Sequence, residues 1–312
     1  MKIGSVSVKK LNKRSIVQAE YSDGPVEDEI LKIVQDPNFE KRRSEILNND
    51  PSWPVRYHLS PIRANLVNWY SFDKKARVLE IGAGCGAITE ALVKQDVHVD
   101  ALELSERRAI INATRNQKAK NLNVLIGNLE VLEATRPYDY AVCVGVLEYA
   151  GRFTSGAKPY EMFLKKINSV LTPGGTLLLA IENKFGIKYF NGSREDHTGA
   201  FYDSLMDYPK NEGVRTFSKK ELQELFDATG FEELRWFFPV PDYKLPRLVL
   251  SEVALETNLP PALLTKLHPA PAPDRTRVYN ASEQLLLRSV LKAGMFAEMS
   301  NSFLVEAKKG NK

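Results

Sequence analysis

The segment VLEIGAGCG, residues Val78–Gly86, decides the fold. Its apolar first half is typical of a buried strand, and its glycines Gly82, Gly84 and Gly86 lead directly into a helical pattern. Glycine lets the backbone turn tightly there and lets a ligand approach without a Cβ in the way. A tight strand-to-helix turn that binds nothing has the same pattern, so this segment alone leaves both interpretations open.

Strand and helix patterns alternate from Arg77 onward. The alternation predicts an α/β fold with a Rossmann-like, doubly wound and mostly parallel sheet of seven strands, closed by an antiparallel strand. The strands are predicted at Arg77–Ile81, Val97–Leu102, Asn123–Ile126, Tyr138–Val144, Gly175–Glu182, Glu233–Val240 and Ser302–Ala307. Because crossovers are right-handed, the carboxyl ends of the parallel strands share one edge, where we expect the ligand.

The chain divides into three regions by pattern. Prolines break the helical patterns of residues 1–75, which predicts an N-terminal cap made of a short hairpin and helices. Residues 76–243 and 297–308 form the predicted sheet domain, and residues 244–296 form a mostly helical insertion before the last strand. The two strands of the hairpin are expected at Ile3–Val8 and Ile16–Ala19.

Composition excludes several classes of protein. The net charge is only +4, without a run of five like charges, so a dedicated nucleic-acid binder is not expected. Cys85 and Cys143 are the only cysteines and lie apart in apolar stretches, which indicates neither a disulfide framework nor a metal site. The absence of a signal-peptide pattern and of a long apolar run predicts no membrane span and a cytoplasmic protein.

Polar residues follow the predicted strands at the ligand edge. Glu103 ends the second strand, 23 residues after Glu80, at about the spacing where a Rossmann-type sheet presents a carboxylate to ribose hydroxyls. Asn128 follows the third strand, where an amide can bind an adenine edge. Glu80 lies two residues before the first glycine, where a carboxylate disfavours a pyrophosphate but suits a ligand with an ammonium and a sulfonium group. These positions argue against a nicotinamide dinucleotide, although an exposed acid at a strand end and an ordinary turn residue have the same signatures as Glu103 and Asn128.

Five blocks, VLEIGAGCGAIT, ALELS, IGNLE, YDYAVCVGVLEY and LTPGGTLLLAIEN, resemble the class I S-adenosylmethionine-dependent methyltransferases in order and spacing. The resemblance covers about residues 60–240 and implies S-adenosyl-L-methionine as the cofactor. Many members of that family have Asp where this chain has Asn128. The cofactor site that the resemblance implies consists of Glu80, Gly82, Ala83, Gly84, Cys85, Gly86, Glu103, Leu104, Asn128, Leu129, Gly145 and Val146.

The resemblance also implies how the cofactor lies along these residues. Glu80 is near the methionine end and Glu103 holds the ribose. Asn128 and Leu129 flank the adenine, and Gly145–Glu148 lie beside the sulfonium. The acceptor is therefore expected beyond the end of the fourth predicted strand.

A hydroxyl acceptor must lose its proton during methyl transfer, so we expect a base within hydrogen-bond reach. His98 begins a strand pattern and His268 lies in a proline-rich connector, which favours structural or exposed roles. His197 follows the fifth strand on the acceptor side and is the predicted general base, with His58 as the second candidate. A histidine that only orders its loop has the same sequence signature. Glu148 is predicted to line the catalytic site beside these histidines.

The stretch AIENKFGIKYFNGSREDHTG, residues 180–199, resembles, more loosely, bacterial methyltransferases that accompany glycosyltransferases of surface-polysaccharide assembly. O-methylation of a sugar or glycan-type small acceptor is therefore the leading hypothesis. Alternatives are another small molecule, a protein or RNA nitrogen, or a non-catalytic cofactor-binding scaffold. The insertion at 244–296 is the expected contact surface for a protein partner or a second copy of the chain. Aromatic residues suited to stacking on a sugar ring are Trp53, Tyr57, Tyr189, Phe190, Phe201 and Tyr202.

Overall fold

The computed structural model describes most of the chain as a single mixed sheet with helices on both faces. The described residues are 1–11, 22–50, 52–210, 213–257, 259–260, 262–266, 269–270 and 279–310. The predicted hairpin strand at Ile16–Ala19 and the connector residue His268 lie outside them. Within the described residues, no helix is both long and apolar enough to cross a bilayer.

The sheet has ten strands rather than the predicted seven. They are β1 (Lys2–Ile3), β2 (Val6–Lys10), β3 (Arg77–Ile81), β4 (His98–Glu103), β5 (Leu122–Ile126), β6 (Tyr138–Val144), β7 (Leu171–Glu182), β8 (Phe231–Val240), β9 (Leu248–Ser251) and β10 (Ser302–Lys309). Their order across the sheet is β1-β2-β5-β4-β3-β6-β7-β10-β8-β9. The seven predicted strands are all present.

The strands from β2 to β7 pair in parallel, and β10 lies antiparallel between β7 and β8. The Rossmann-like fold class is thereby confirmed. The chain runs outward from β3 through β4 to β5 and then returns to form β6 on the other side of β3. At such a switch point the loops after β3 and β6 diverge and leave a crevice at the carboxyl ends of the strands. The candidate site lies in this crevice.

The three extra strands fall outside the predicted sheet domain. β1 and β2 pair with each other inside the first ten residues, and β2 then extends the parallel sheet beside β5. β9 lies in the predicted insertion but pairs with β8 at the opposite edge of the sheet. The sheet therefore continues into both regions that were predicted to be separate from it.

The helices cover both faces of the sheet and the crevice. They are α1 (Val26–Gln35), α2 (Phe39–Asn49), α3 (Trp53–Leu59), α4 (Ala87–Val93), α5 (Glu106–Arg115), α6 (Ala150–Phe153), α7 (Pro159–Val170), α8 (Ile187–Phe190), α9 (Lys219–Asp227), α10 (Glu252–Glu256), α11 (Ala262–Thr265), α12 (Glu283–Lys292) and α13 (Phe296–Met299). Three short 3₁₀ turns lie at Pro61–Leu66, Leu129–Val131 and Leu147–Tyr149.

The N-terminal helices are fixed to the sheet domain by apolar and ionic contacts. Ile30 of α1 and Leu59 of α3 pack in one buried cluster with Cys85 of the glycine segment. The Arg108 guanidinium on α5 donates to Glu27 of α1 at 2.8 Å, and both side chains are buried. A buried charge pair is costly to break because the remaining charge stays desolvated. The cap is therefore held in a defined position over the crevice.

Candidate active site

The glycine segment turns from β3 into α4 with left-handed backbone at successive glycines. Gly82 has φ of +69°, and a Cβ there would lie 2.3 Å from the Val146 side chain. Gly84 has φ of +53° and no heavy atom within 4 Å of the place where its Cβ would lie. Glycine is therefore required at Gly82 by packing, whereas Gly84 leaves open space on the side of the crevice.

Glu103 at the end of β4 holds this turn. Its carboxylate accepts hydrogen bonds from the backbone N–H groups of Gly84 and Ser105, each at 2.8 Å. Burial raises the pKa of Glu103, although these two donors oppose the rise by favouring the charged form. The side chain also lines the crevice, so its remaining lone pairs are available to the hydroxyls of a ligand.

Glu80 is buried beneath the same turn and accepts a hydrogen bond from the Thr89 hydroxyl at 2.5 Å. Burial raises the pKa of Glu80 to about 8, and the negative charge of Glu103 contributes to the rise. A carboxyl group in this state gains its charge most easily when a cation binds beside it. Glu80 is therefore suited to the ammonium group of the cofactor.

A single cavity of about 370 Å³ runs along the switch point. This volume is within the usual range for small-molecule sites. Glu103 and Asn128 line it after β4 and β5 on one side of the switch point, and Glu182 and Lys244 line it after β7 and β8 on the other, with His197 beside Glu182. The two sides are named the cofactor end and the acceptor end after the roles predicted for their residues. All predicted cofactor residues line it except Gly86.

Asn128 lines the cavity, but both ends of its amide already have protein partners. Its Nδ2 donates to the Phe153 carbonyl at 2.8 Å, and its Oδ1 accepts from the Glu130 N–H at 2.9 Å. The amide therefore fixes the turn that follows β5. One N–H and one lone pair remain for an adenine edge.

Arg63 is a candidate cofactor residue that sequence reasoning missed. It is buried, it lines the cavity, and its guanidinium lies 3.9 Å from the centre of the Tyr57 ring. One N–H donates to the Lys244 carbonyl, whereas Nε has no hydrogen-bond partner within the described part of the chain. A buried guanidinium with a spare donor fits the carboxylate of the cofactor. No spacing pattern in the sequence marks this arginine.

His197 lies at the acceptor end with its side chain 8% exposed. Its Nδ1 is 3.0 Å from the Tyr149 hydroxyl, and its Nε2 is 3.5 Å from the Glu182 carboxylate. Burial alone would lower the pKa of His197, but the charge and hydrogen bonding of Glu182 together with the charges of Glu195 and Glu148 outweigh burial and raise the pKa to about 9. The structure thus brings the predicted base to the cavity, in a pair with an acid from the end of β7.

Glu182 in turn contacts a buried lysine. Burial opposes its ionisation, but the charges of Lys244 and His197 hold the pKa of Glu182 well below its usual range. Lys244 also lies 3.2 Å from Asp242 and 3.3 Å from Asp196, so it joins the β8–β9 connection to the loop of His197. Lys188 also lies 2.7 Å from both Asp196 and Asp242, so three acids and three cationic side chains meet at this end of the cavity.

Glu148 occupies a different place from the one expected. It is fully buried and is not among the described residues that line the cavity. Burial and the negative charge of Glu182 raise the pKa of Glu148 well above its usual range. Carboxylate oxygens of Glu148 and Glu182 and a ring nitrogen of His197 lie within 4.8 Å of one another, a donor set that divalent cations accept. The ammonium of Lys244 already contacts Glu182, so a metal ion would place a second positive charge beside it. The group therefore fits a metal ion poorly.

His58, the second candidate base, lies in the cap. Its Nε2 is 2.8 Å from the Asp23 carboxylate, and its ring lines the cavity. Burial lowers the pKa of His58, which keeps the imidazole neutral at pH 7. Asp23 also contacts Arg108, so His58 belongs to the ionic contacts that fix the cap. It does not belong to the acid-base group formed by Glu182, His197 and Lys244.

Comparison with known proteins identifies the family of the chain. A profile of a methyltransferase domain family matches residues 55–235, more than half of the chain. A ubiquinone biosynthesis O-methyltransferase of Rickettsia bellii is 24% identical over 204 residues, which is 62% of this chain and 79% of the relative.

Two solved structures are also similar. A possible histamine N-methyltransferase of Thermotoga maritima has a TM-score of 0.46 at 18% identity and covers 91% of this chain and 100% of its own. A phosphoethanolamine N-methyltransferase of Haemonchus contortus, solved with S-adenosylhomocysteine, has a TM-score of 0.47 at 15% identity and covers 91% and 60%. With the family match over the glycine turn and the crevice, the chain belongs to the methyltransferase domain family and is a class I S-adenosylmethionine-dependent methyltransferase.

Proposed function

We propose that the protein transfers the methyl group of S-adenosylmethionine to a hydroxyl of a sugar or glycan-type acceptor, with His197 as general base. The observation that carries the proposal is the place of His197, which lines the acceptor end of the cavity and is paired with Glu182. A carboxylate partner orients an imidazole and stabilises the imidazolium that forms when it accepts a proton.

The cofactor supplies an activated methyl group, so the enzyme mainly has to align sulfur, methyl and acceptor oxygen. In this proposal Glu80 and Arg63 bind the amino acid part of the cofactor and Glu103 binds its ribose. Gly145 and Val146 lie beside the sulfonium. A positive charge bound beside His197 would lower its pKa and favour the neutral, proton-accepting imidazole.

The charge of the acceptor end supports an uncharged acceptor. Glu182 and Asp196 line it together with His197 and Lys244, so two acids face two bases. Trp53 and Tyr57 also line the cavity and provide aromatic faces for a sugar ring. Of the other aromatics considered for stacking, Tyr189 is buried and donates to Asp196, whereas the side chains of Phe190, Phe201 and Tyr202 are half exposed.

A hydroxyl on an aromatic ring is the second candidate acceptor. The relatives found by sequence are named for O-methylation in ubiquinone biosynthesis. Phe153 and Phe163 line the cavity in addition to Trp53 and Tyr57, which supports a planar apolar acceptor. Transfer of labelled methyl to sugars and nucleotide sugars, compared with catechols, separates the two candidates. The protein-partner role of residues 244–296 remains a prediction.

The role of His197 is tested by His197→Ala. We expect kcat to fall by about 10²–10⁴-fold because the base is lost, while the Kd for S-adenosylhomocysteine stays within about twofold. His98→Ala is the matched control, since His98 is exposed at the amino end of β4, away from the carboxyl ends of the strands where the cavity lies. An unchanged kcat in His197→Ala rejects the general-base role. Absence of labelled product with every hydroxyl acceptor rejects O-methylation.

A further inference from the structure

Tyr149 lines the cavity beside His197. It ends the 3₁₀ turn Leu147–Tyr149 that follows β6, and it lines the cavity. Its hydroxyl is 3.0 Å from Nδ1 of His197, and the two rings meet edge to face at 85° with centroids 5.1 Å apart. The hydroxyl is therefore held at hydrogen-bond distance from the imidazole by ring packing as well as by the hydrogen bond.

The other side of the imidazole fixes which nitrogen can accept a proton. Nε2 faces the Glu182 carboxylate, which Lys244 helps to keep ionised. A neutral imidazole beside a carboxylate carries its proton on the nitrogen that faces the carboxylate. The free lone pair is then on Nδ1, and Nδ1 faces the Tyr149 hydroxyl.

We propose that Tyr149 is a catalytic residue that relays the acceptor's proton to His197. This inference rests on the proposed function and extends it. As the acceptor oxygen bonds to the methyl carbon, the sulfur–methyl bond breaks and its electron pair stays on sulfur. The acceptor proton moves to the Tyr149 oxygen, and the proton that Tyr149 already carries moves to Nδ1 of His197. The resulting imidazolium is stabilised by Glu182.

A phenol suits this step because its oxygen donates one hydrogen bond while it accepts another. Phe153, whose ring centroid lies 6.5 Å from that of Tyr149, further restricts the tyrosine ring. If His197 instead accepted the proton directly, Tyr149 would only bond to its Nδ1, and loss of the hydroxyl would leave a usable base. The two cases therefore predict different rates for one substitution.

Tyr149→Phe keeps the ring and removes the hydroxyl. We expect kcat to fall about 10²-fold or more, with KM for the acceptor and Kd for S-adenosylhomocysteine within about twofold of the parent enzyme. Tyr138→Phe is the matched control, because it removes a hydroxyl bonded to Asp100 at the other end of β6. A kcat in Tyr149→Phe above a third of the parent value, with His197→Ala inactive, overturns the relay and leaves the base assignment standing. An active His197→Ala enzyme overturns both.

A second variant covers the case in which Tyr149→Phe does not fold. Incorporation of 3,5-difluorotyrosine at position 149 keeps the hydroxyl and lowers its pKa. The relay predicts that the pH dependence of kcat shifts toward acid by at least half a unit, whereas the cofactor Kd does not change. A pH profile identical to that of the parent enzyme overturns the proposal, because the relay passes the proton through the hydroxyl whose pKa the substitution lowers.

Discussion

The affinity for the cofactor should depend on pH through Glu80. This carboxyl is fully buried, and burial raises its pKa to about 8. If the ionised form binds the cofactor ammonium, then below pH 8 the carboxyl must first lose its proton. Binding therefore weakens as pH falls.

The size of the effect follows from that pKa. At pH 7 about one tenth of Glu80 is ionised, so the apparent affinity is about tenfold, or about 1.4 kcal/mol, below its limit. At pH 6 the loss is about a hundredfold. The ammonium of the ligand itself titrates near pH 8, so the interval from pH 5.5 to 7.5 isolates the carboxyl. There log Kd should fall by about one per pH unit as pH rises.

Calorimetry with S-adenosylhomocysteine measures both Kd and the released proton. In buffers of different ionisation enthalpy, about 0.9 proton should be released per ligand bound at pH 7. Glu80→Gln should bind more weakly at high pH, with a Kd that is flat over this interval and without proton release. A flat Kd in the parent enzyme would refute the reasoning. A slope that persists in Glu80→Gln would assign the proton to another group, with Glu103 as the first candidate.

Two further substitutions test the acid-base group and the glycine turn. Lys244→Met removes the positive charge beside Glu182, the acid that also contacts His197. The pKa of His197 is raised to about 9 in the parent enzyme, and we expect it to rise by about one further unit. The alkaline rise of kcat should move with it, and the control Lys308→Met, at an exposed ion pair, should not change the profile. Gly82→Ala should lose cofactor binding and cost about 1–3 kcal/mol beyond the cost of Gly294→Ala. Gly294 has the same φ of +69° but no heavy atom within 4 Å of the place where its Cβ would lie. Equal free energies of unfolding for the two variants in denaturant would contradict the close contact between Gly82 and Val146.

Local patterns predicted the parts of the fold that depend on neighbouring residues. The glycine turn was found because strand, glycines and helix follow each other without a gap. The helix α9 begins with a local signal of the same kind, because Ser218 and Glu221 form a reciprocal capping box. β1 and β9 were missed as sheet strands because they are only two and four residues long. β2 was missed because its partner β5 lies far away in the chain. Pairing partners of that kind leave no local periodicity.

The acid-base group shows the same limit at the level of the site. Glu182 ends β7, His197 lies in the loop after it, and Lys244 follows β8, so their meeting depends on how β7, β10 and β8 order in the sheet. The sequence indicated that Glu182 and His197 share the acceptor edge. It did not indicate Lys244, because a single lysine beyond a strand is usually exposed to solvent.

The neighbours Glu148 and Tyr149 show why the catalytic assignment needed the structure. Both belong to the 3₁₀ turn Leu147–Tyr149, where successive side chains point in directions about 120° apart. The turn sends Glu148 into the interior and Tyr149 to the cavity. The interior position raises the pKa of Glu148 and keeps its carboxyl away from the cavity, so it does not reach an acceptor there. The residue beside it, Tyr149, holds its hydroxyl 3.0 Å from Nδ1 of His197, which is the geometry that the proposed relay uses.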